Sequence, residues 1–200
     1  FGMLVAGGLI LWPLAFLPVA RSLPRINDVT TDTQSPPRFI ALAKAKPGAI
    51  LATNTSTSPL EDIATAMADP TRLIGLQFFN PVAKMMLVEI VVGRQTRAEL
   101  TAPAAAFVRQ IDRLPLPVKS APGFLVNRVL APYLMAAMRC VDEGIAPETV
   151  DEAALAFGMP MGPLRLLDEI GIDVAQHVAA TLHAAFGDRL KPPPLLGSMA

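Results

Sequence analysis

The feature that most constrains the fold is a change of hydrophobic pattern at Pro122-Gly123. Before this point, short apolar runs such as Ala49-Ile50-Leu51-Ala52 alternate with turn residues, which is typical of strands and helices in an α/β sheet. After it, apolar residues recur at the spacing of one helix face. With 52% apolar residues the chain has enough material for a buried core. The sequence therefore predicts an α/β part followed by an all-α part.

The predicted elements follow from these runs and from the turn residues between them. We expect strands over residues 49–52, 73–79 and 86–92, and a last short strand over 116–118. Ser58 is the expected N-cap of a helix that has Pro59 at its first position, Glu61 in a capping box, and its end near Asp69-Pro70. Further helices are expected over 99–113, from 125 to a stop at Glu143-Gly144, over 147–156 and over 173–186.

The N-terminal segment, residues 1–22, is unlike the rest of the chain. Its first 20 residues carry no charge, and as a helix they would extend about 30 Å, the thickness of a bilayer core. Arg21 and Arg25 follow, so a membrane-spanning helix here would have its C-terminal end in the cytoplasm. Residues 23–45 are polar and rich in turn formers, and they are predicted to be a linker. Asn27-Asp28-Val29-Thr30-Thr31-Asp32 and Pro36-Pro37-Arg38-Phe39 make this region resemble the start of an uncharacterised bacterial family with N-terminal membrane helices.

Composition excludes several classes of function. Lys+Arg and Asp+Glu are balanced at 17 each, so no basic field is present to bind nucleic acid. The single cysteine, Cys140, allows no internal disulfide and no thiolate metal cluster, and it suits a reducing, cytoplasmic setting. His177 and His183 fall on different sides of a predicted helix and do not form a metal-binding pair. We therefore predict no metal site.

Two polar groups of residues are candidates for chemistry. Residues 53–56 follow a predicted strand at its carboxyl end, where open α/β sheets bind ligands, although the same residues also suit an ordinary turn. Gln77 and Glu89 are equidistant from Ala83, the centre of the loop between two strands, so an antiparallel pairing makes them face each other. An exposed cross-strand pair is the simpler alternative. Phe78-Phe79-Asn80-Pro81 is an unusual turn for a plain hairpin and favours a functional one.

Four motifs occur in order and carry a specific resemblance. They are Ala49-Ile50-Leu51-Ala52-Thr53-Asn54-Thr55-Ser56, Gly75-Leu76-Gln77-Phe78-Phe79-Asn80-Pro81, Pro122-Gly123-Phe124-Leu125-Val126-Asn127-Arg128 and Gly158-Met159-Pro160-Met161-Gly162-Pro163. From Lys46 to Ala200 the chain resembles the 3-hydroxyacyl-CoA dehydrogenase module of bacterial fatty-acid oxidation multienzymes. The resemblance implies that residues 46–120 are the C-terminal part of a Rossmann-type NAD-binding domain and that residues 121–200 are a helical domain. It also implies NAD-dependent oxidation of the 3-hydroxyl of an acyl-CoA in β-oxidation, and an oligomeric protein.

The resemblance also assigns roles to individual residues. Gln77 stands where the family has the histidine that takes the hydroxyl proton, and Glu89 where it has the glutamate that orients this histidine. Ser56 corresponds to a serine near the substrate oxygen and the nicotinamide, Asn80 to an asparagine beside the cofactor, and Asn127 to an asparagine that contacts the substrate.

Two departures from the family pattern lower the expected activity. Gln77 has a hydrogen-bond donor and an acceptor but no proton equilibrium near neutral pH, so it cannot act as a base. No G-x-G-x-x-G follows a strand, and the strands expected on both sides of residues 49–52 are not visible in the sequence. Two alternatives remain open: a membrane-tethered, non-catalytic remnant that binds acyl-CoA or another protein, and an artefactual join of two reading frames.

Overall fold

The computed structural model describes residues 26–30, 50–54, 59–65 and 67–198, with only the backbone given for residues 26–30. Its contacts divide the chain into two compact units, with the boundary between Ala121 and Pro122. Residues 1–22, expected to form an apolar helix, lie outside the described part. Within the described part, no helix is both long enough and apolar enough to span a membrane.

The first unit is built on a five-stranded sheet. In chain order the strands are β1 (Ile26–Thr30), β2 (Ile50–Thr53), β3 (Leu73–Phe78), β4 (Leu87–Val92) and β5 (Leu114–Lys119), and this is also their order across the sheet. The first three strands are mutually parallel, β4 is antiparallel to β3, and β5 is parallel to β4. Every residue of β2 and β3 is buried, as expected for central strands covered on both faces. The α/β prediction is confirmed, and β2, β3 and β4 begin and end within one residue of the predicted bounds.

The expectation that residues 49–52 lack flanking strands is wrong. Strand β1 pairs in parallel with β2, with Ile26 opposite Ile50 and Thr30 opposite Thr53, and β3 pairs with β2 on the other side. Strand β1 therefore lies inside the segment predicted to be a linker, residues 23–45. Its asparagine and aspartate favour turns, and this preference hid a strand whose formation depends on pairing with a distant segment.

Strand β5 is longer than the predicted 116–118 and ends the sheet with two prolines. The N–H groups of Leu114 and Ser120 donate to Met86 O and Val92 O at 2.8 and 2.9 Å. Since alternate residues of a strand point their N–H groups to opposite sides, Pro115 and Pro117 fall on the outer side, where no N–H is needed. The prolines therefore leave the pairing with β4 intact and protect the exposed edge.

Among the described residues, two helices flank the sheet, and both are shorter than predicted. Helix α1 (Leu60–Ala64) ends well before Asp69, which instead accepts a hydrogen bond from Thr71 N at 3.2 Å in a 3-10 turn over Pro70–Arg72. The capping box is not formed as predicted: Pro59 itself occupies the cap position, and Ser58 lies outside the described residues. Helix α2 (Thr101–Gln110) follows a 3-10 turn over Ala98–Leu100.

The core of the first unit lies between α2 and one face of the sheet. Its buried members come from alternate strand positions, from α2 and from the turn before it: Ile50, Ala52, Ile74, Leu76, Phe78, Val88, Ile90, Leu100, Ala104, Ala105 and Val108. The residues between them in sequence, including Thr53, Gly75, Gln77 and Glu89, therefore point to the opposite face.

The second unit is helical, as predicted. Its helices are α3 (Val126–Asp142), α4 (Pro147–Phe157), α5 (Pro163–Ile170), α6 (Ile172–Phe186) and α7 (Pro194–Ser198). Helices α5 and α7 are not in the prediction, because both are short and begin at a proline that reads as a turn signal in the sequence. The core contains Ala131, Leu134, Met135, Met138, Leu167, Ala179, Leu182 and Leu196.

The glycine-rich motif at 158–163 forms the junction between α4 and α5. Gly158 ends α4 with φ 111°, and Met159 N donates to Ala154 O at 3.0 Å, the pattern of a Schellman motif. Gly162 then precedes α5, and a Cβ atom there would lie 2.2 Å from Cγ of Asp151. The absence of a side chain at Gly162 is what lets this carboxylate reach the start of α5.

Candidate active site

Gln77 and Glu89 form a buried pair in the β3–β4 hairpin. They are direct partners in the antiparallel register, which confirms that they face each other. Gln77 is 7% exposed and Glu89 is 1% exposed, so the alternative of an exposed surface pair is wrong. A polar pair this deep in a sheet costs solvation free energy and is not explained by strand stability alone. It is therefore the main candidate for a functional site in the first unit.

Only one of the two polar atoms of the Gln77 amide has a hydrogen-bond partner among the described residues. Its Nε2 donates to Phe78 O at 3.1 Å, and its buried Oε1 has no hydrogen-bond partner among the described residues. An amide can donate one hydrogen bond and accept another in this setting, but it does not titrate. Gln77 can therefore hydrogen-bond to an oxygen atom near Glu89, but it cannot remove a proton from that oxygen.

Thr53 belongs to the same face and was predicted only as part of the polar run 53–56. It is the last residue of β2 and is paired with Gly75, so its side chain lies on the sheet face of Gln77 and Glu89. Thr53 is fully buried, and its Oγ1 also has no partner among the described residues. The strand-end position was the only sequence signal that singled out this residue.

Asn54 fixes the adjacent ends of β2 and β3. Its Oδ1 accepts a hydrogen bond from Phe78 N at 3.1 Å, beyond the last backbone pair of the two strands. The side chain therefore replaces a backbone acceptor just after Gln77. Sequence reasoning missed this role, although an asparagine directly after a strand is a known side-chain acceptor.

The other predicted site residues are placed as follows. Asn80 is exposed at the start of the β3–β4 turn, where the Asn80-Pro81 peptide bond is cis. Asn127 is half-buried in the first turn of α3, in the second unit. Ser56 lies outside the described residues. Their predicted contacts with substrate or cofactor stay predictions.

The two histidines and the cysteine lie in helices of the second unit. In the described ranges, no group of three or more His, Cys, Asp and Glu residues could hold a metal ion. His183 lies in the last turn of α6. Its Nδ1 is 2.9 Å from Gly187 O, so the ring contacts the backbone just beyond the C-terminal end of that helix. Cys140 is a half-buried residue of α3.

A mostly parallel sheet with polar residues at the carboxyl end of a central strand, followed by a separate helical unit, is an arrangement found in two-domain dehydrogenases that use a dinucleotide. Residues 26–121 match the 3-hydroxyacyl-CoA dehydrogenase NAD binding domain, and residues 123–200 match the C-terminal domain. The chain belongs to the 3-hydroxyacyl-CoA dehydrogenase family. The sequence motifs placed the start of the resemblance at Lys46. The match to the NAD-binding domain begins earlier, at residue 26, and therefore includes β1.

Solved structures support the same assignment. FadB2 of M. tuberculosis superposes with a TM-score of 0.77 at 38% identity, over 81% of this chain and 59% of that one. The (S)-3-hydroxybutyryl-CoA dehydrogenase of Ralstonia eutropha gives 0.76 at 36% identity, over 81% and 60%. The 3-hydroxybutyryl-CoA dehydrogenase of Escherichia coli K12 gives 0.76 at 39%, over 82% and 36%. The chain thus spans less than two thirds of the length of each of these proteins.

The described residues fit part of an NAD site. The buried hydroxyl of Thr53 and the amide of Gln77 lie near the carboxyl ends of β2 and β3, the edge at which open α/β sheets bind ligands. Within the same residues, no glycine-rich turn leads from a strand into a helix to bind the pyrophosphate. The described residues therefore supply polar groups at this edge of the sheet but no turn for the pyrophosphate.

Proposed function

We propose that this chain is the active-site portion of a cytoplasmic 3-hydroxyacyl-CoA dehydrogenase of fatty-acid β-oxidation, with a rate lowered by Gln77. The observation that carries the proposal is the buried Gln77 and Glu89 pair, because these two positions correspond to the catalytic pair of the family. The substrate would be an acyl-CoA with a 3-hydroxyl group, and the cofactor would be NAD.

When bound, NAD supplies the acceptor for the hydride that leaves C3 of the substrate. The chain's own residues bind and orient the reacting oxygen. Gln77 would hold this oxygen through its amide, and Ser56 would contact the same oxygen and the nicotinamide. Asn80 would contact the cofactor, and Asn127 the substrate. Since Gln77 cannot take a proton, we expect a rate about 10² to 10⁴ below that of a site with a general base.

Restoring a histidine tests this proposal. The assay measures the rate of acetoacetyl-CoA-dependent oxidation of NADH by the absorbance at 340 nm. We expect Gln77→His to raise this rate by about 10²-fold or more. Gln110→His, at an exposed position of α2, is the matched control and leaves the rate unchanged.

The same pair of variants is also measured after the nucleotide-binding front of the Ralstonia eutropha enzyme is joined to this chain. NADH fluorescence shows whether each protein binds the cofactor. A protein that binds NADH and gains no activity from Gln77→His contradicts the proposed function.

We further propose that the protein self-associates, as its family resemblance implies, and that residues 1–20 contact a membrane. The second point is supported by the charge-free apolar sequence and by Arg21 and Arg25 directly after it. Complete release of the chain from membranes by a carbonate wash would contradict that contact.

A further inference from the structure

Two buried polar atoms without a partner lie on one face of the sheet. They are Thr53 Oγ1 and Gln77 Oε1, in residues that are 0% and 7% exposed. Thr53 pairs with Gly75, which precedes Gln77 by one full strand repeat, so the two side chains are diagonal neighbours on adjacent strands. Glu89 completes the group, because it faces Gln77 from the next strand.

One bridging water would satisfy both atoms. Thr53 Oγ1 and Gln77 Oε1 make no hydrogen bond to each other or to another group among the described residues. A single water joins two such oxygen atoms with two hydrogen bonds of about 2.8 Å each. Buried polar atoms are nearly always hydrogen-bonded, and an interior water is the usual partner where no protein group is available.

We propose that Thr53 and Gln77 hold one water molecule beside Glu89, and that Glu89 accepts the hydroxyl proton of the substrate through this water. The inference rests on the proposed function for its chemical step. The water donates to Gln77 Oε1 and accepts from the Thr53 hydroxyl, which leaves its second hydrogen for the Glu89 carboxylate. Thr53 is then a positioning residue. Glu89 acts as the base, which is the role of a histidine elsewhere in the family.

The step is balanced in atoms and electrons. As C3 of the substrate loses its hydrogen as hydride to NAD, the O–H bond of the 3-hydroxyl breaks and its electron pair forms the new C=O bond. The proton passes to the water, the water gives one of its own protons to Glu89, and the carboxylic acid later returns it to solvent. Gln77 stays neutral throughout. No further reactant is needed.

The water is tested without the cofactor by comparing Thr53→Val with Thr53→Ser in the full chain. If the hydroxyl holds a water, Val removes a hydrogen bond at nearly constant volume, and the thermal unfolding midpoint falls while Ser keeps most of it. If the hydroxyl has no partner, Val removes an unsatisfied buried group and the midpoint rises, which overturns the proposal. Thr149→Val, at an exposed position of α4, is the control for the substitution itself.

The relay is tested by combining Thr53→Val with Gln77→His in the NADH oxidation assay, in the protein joined to the nucleotide-binding front and shown by fluorescence to bind NADH. We expect Thr53→Val to lower the rate of the joined protein that keeps Gln77 about tenfold, as for the loss of one hydrogen bond, with rescue by Thr53→Ser. The loss is expected to be smaller in the Gln77→His variant, where the imidazole takes the proton directly. An equal loss in both backgrounds overturns the relay while the proposed function stands. No activity in either background overturns the proposed function and the relay with it, and the unfolding comparison still decides whether the water is bound.

Discussion

Asp151 stabilises the start of a helix to which it does not belong. It lies in α4, and its two carboxylate oxygens accept hydrogen bonds from Leu164 N at 2.8 Å and Arg165 N at 3.0 Å, in the first turn of α5. These N–H groups are normally satisfied by a side chain at the N-cap, but here the N-cap is Gly162. The carboxylate also interacts favourably with the positive end of the α5 dipole.

The expected cost of removing this carboxylate follows from the two bonds. Loss of an N-cap side chain costs about 0.5–2 kcal/mol, and bonds to a charged acceptor are at the upper end of the usual range. We therefore expect Asp151→Ala to lower the free energy of unfolding by about 2 kcal/mol. Asp151→Asn keeps one of the two acceptors, so it should lose about half as much.

Urea titration of the full chain measures this loss. Most helical residues of the described part lie in the second unit, so far-ultraviolet circular dichroism mainly reports the unfolding of that unit. With a slope of about 1–3 kcal/mol per molar urea, the midpoint should fall by about 1 M. Asp168→Ala, at an exposed position of α5, should change the free energy by less than about 0.5 kcal/mol. Equal midpoints for Asp151→Ala and the native chain would refute the capping role.

Two further outcomes follow from close contacts in the first unit. Gly75→Ala places a Cβ atom 2.7 Å from Cβ of Val91, so we expect a loss of about 1–3 kcal/mol in thermal unfolding, whereas Gly197→Ala meets nothing within 4 Å and should cost little. Burial alone would raise the pKa of Glu61, but the hydrogen bond from the Ser120 hydroxyl at 2.6 Å and a backbone N–H outweigh it, and the pKa lies below its ordinary value of 4.5. This stabilisation is present above pH 4.5 and is lost as the pH falls through the lowered pKa, so Ser120→Ala should move acid unfolding, followed by circular dichroism, to higher pH. An unchanged acid midpoint would contradict that assignment.

Local patterns were sufficient to predict the hairpin that carries the candidate site. Gln77 and Glu89 are equidistant from Ala83, and a hairpin fixes its register through its turn, so the pairing could be inferred without any distant information. The three longer helices of the second unit were predictable for the same reason, since the apolar face of a helix repeats within a few residues.

Contacts between distant segments were not predictable in this way. Strand β1 is recognised only through its parallel pairing with β2, and its polar composition argues against a strand. Thr53 becomes a candidate only when the register places it on the same face as Gln77. Asp151 gives no sign in the sequence that it caps α5. In each case the deciding partner is supplied by the fold, not by neighbouring residues.

The contact between Gly75 and Val91 also has an evolutionary consequence. The two residues are opposite each other on β3 and β4, and no space remains between them for another carbon atom. A larger residue at the first position would be accommodated only if the second became smaller. In an alignment of the family, these two positions should therefore covary, with their summed side-chain volume conserved more strictly than either residue.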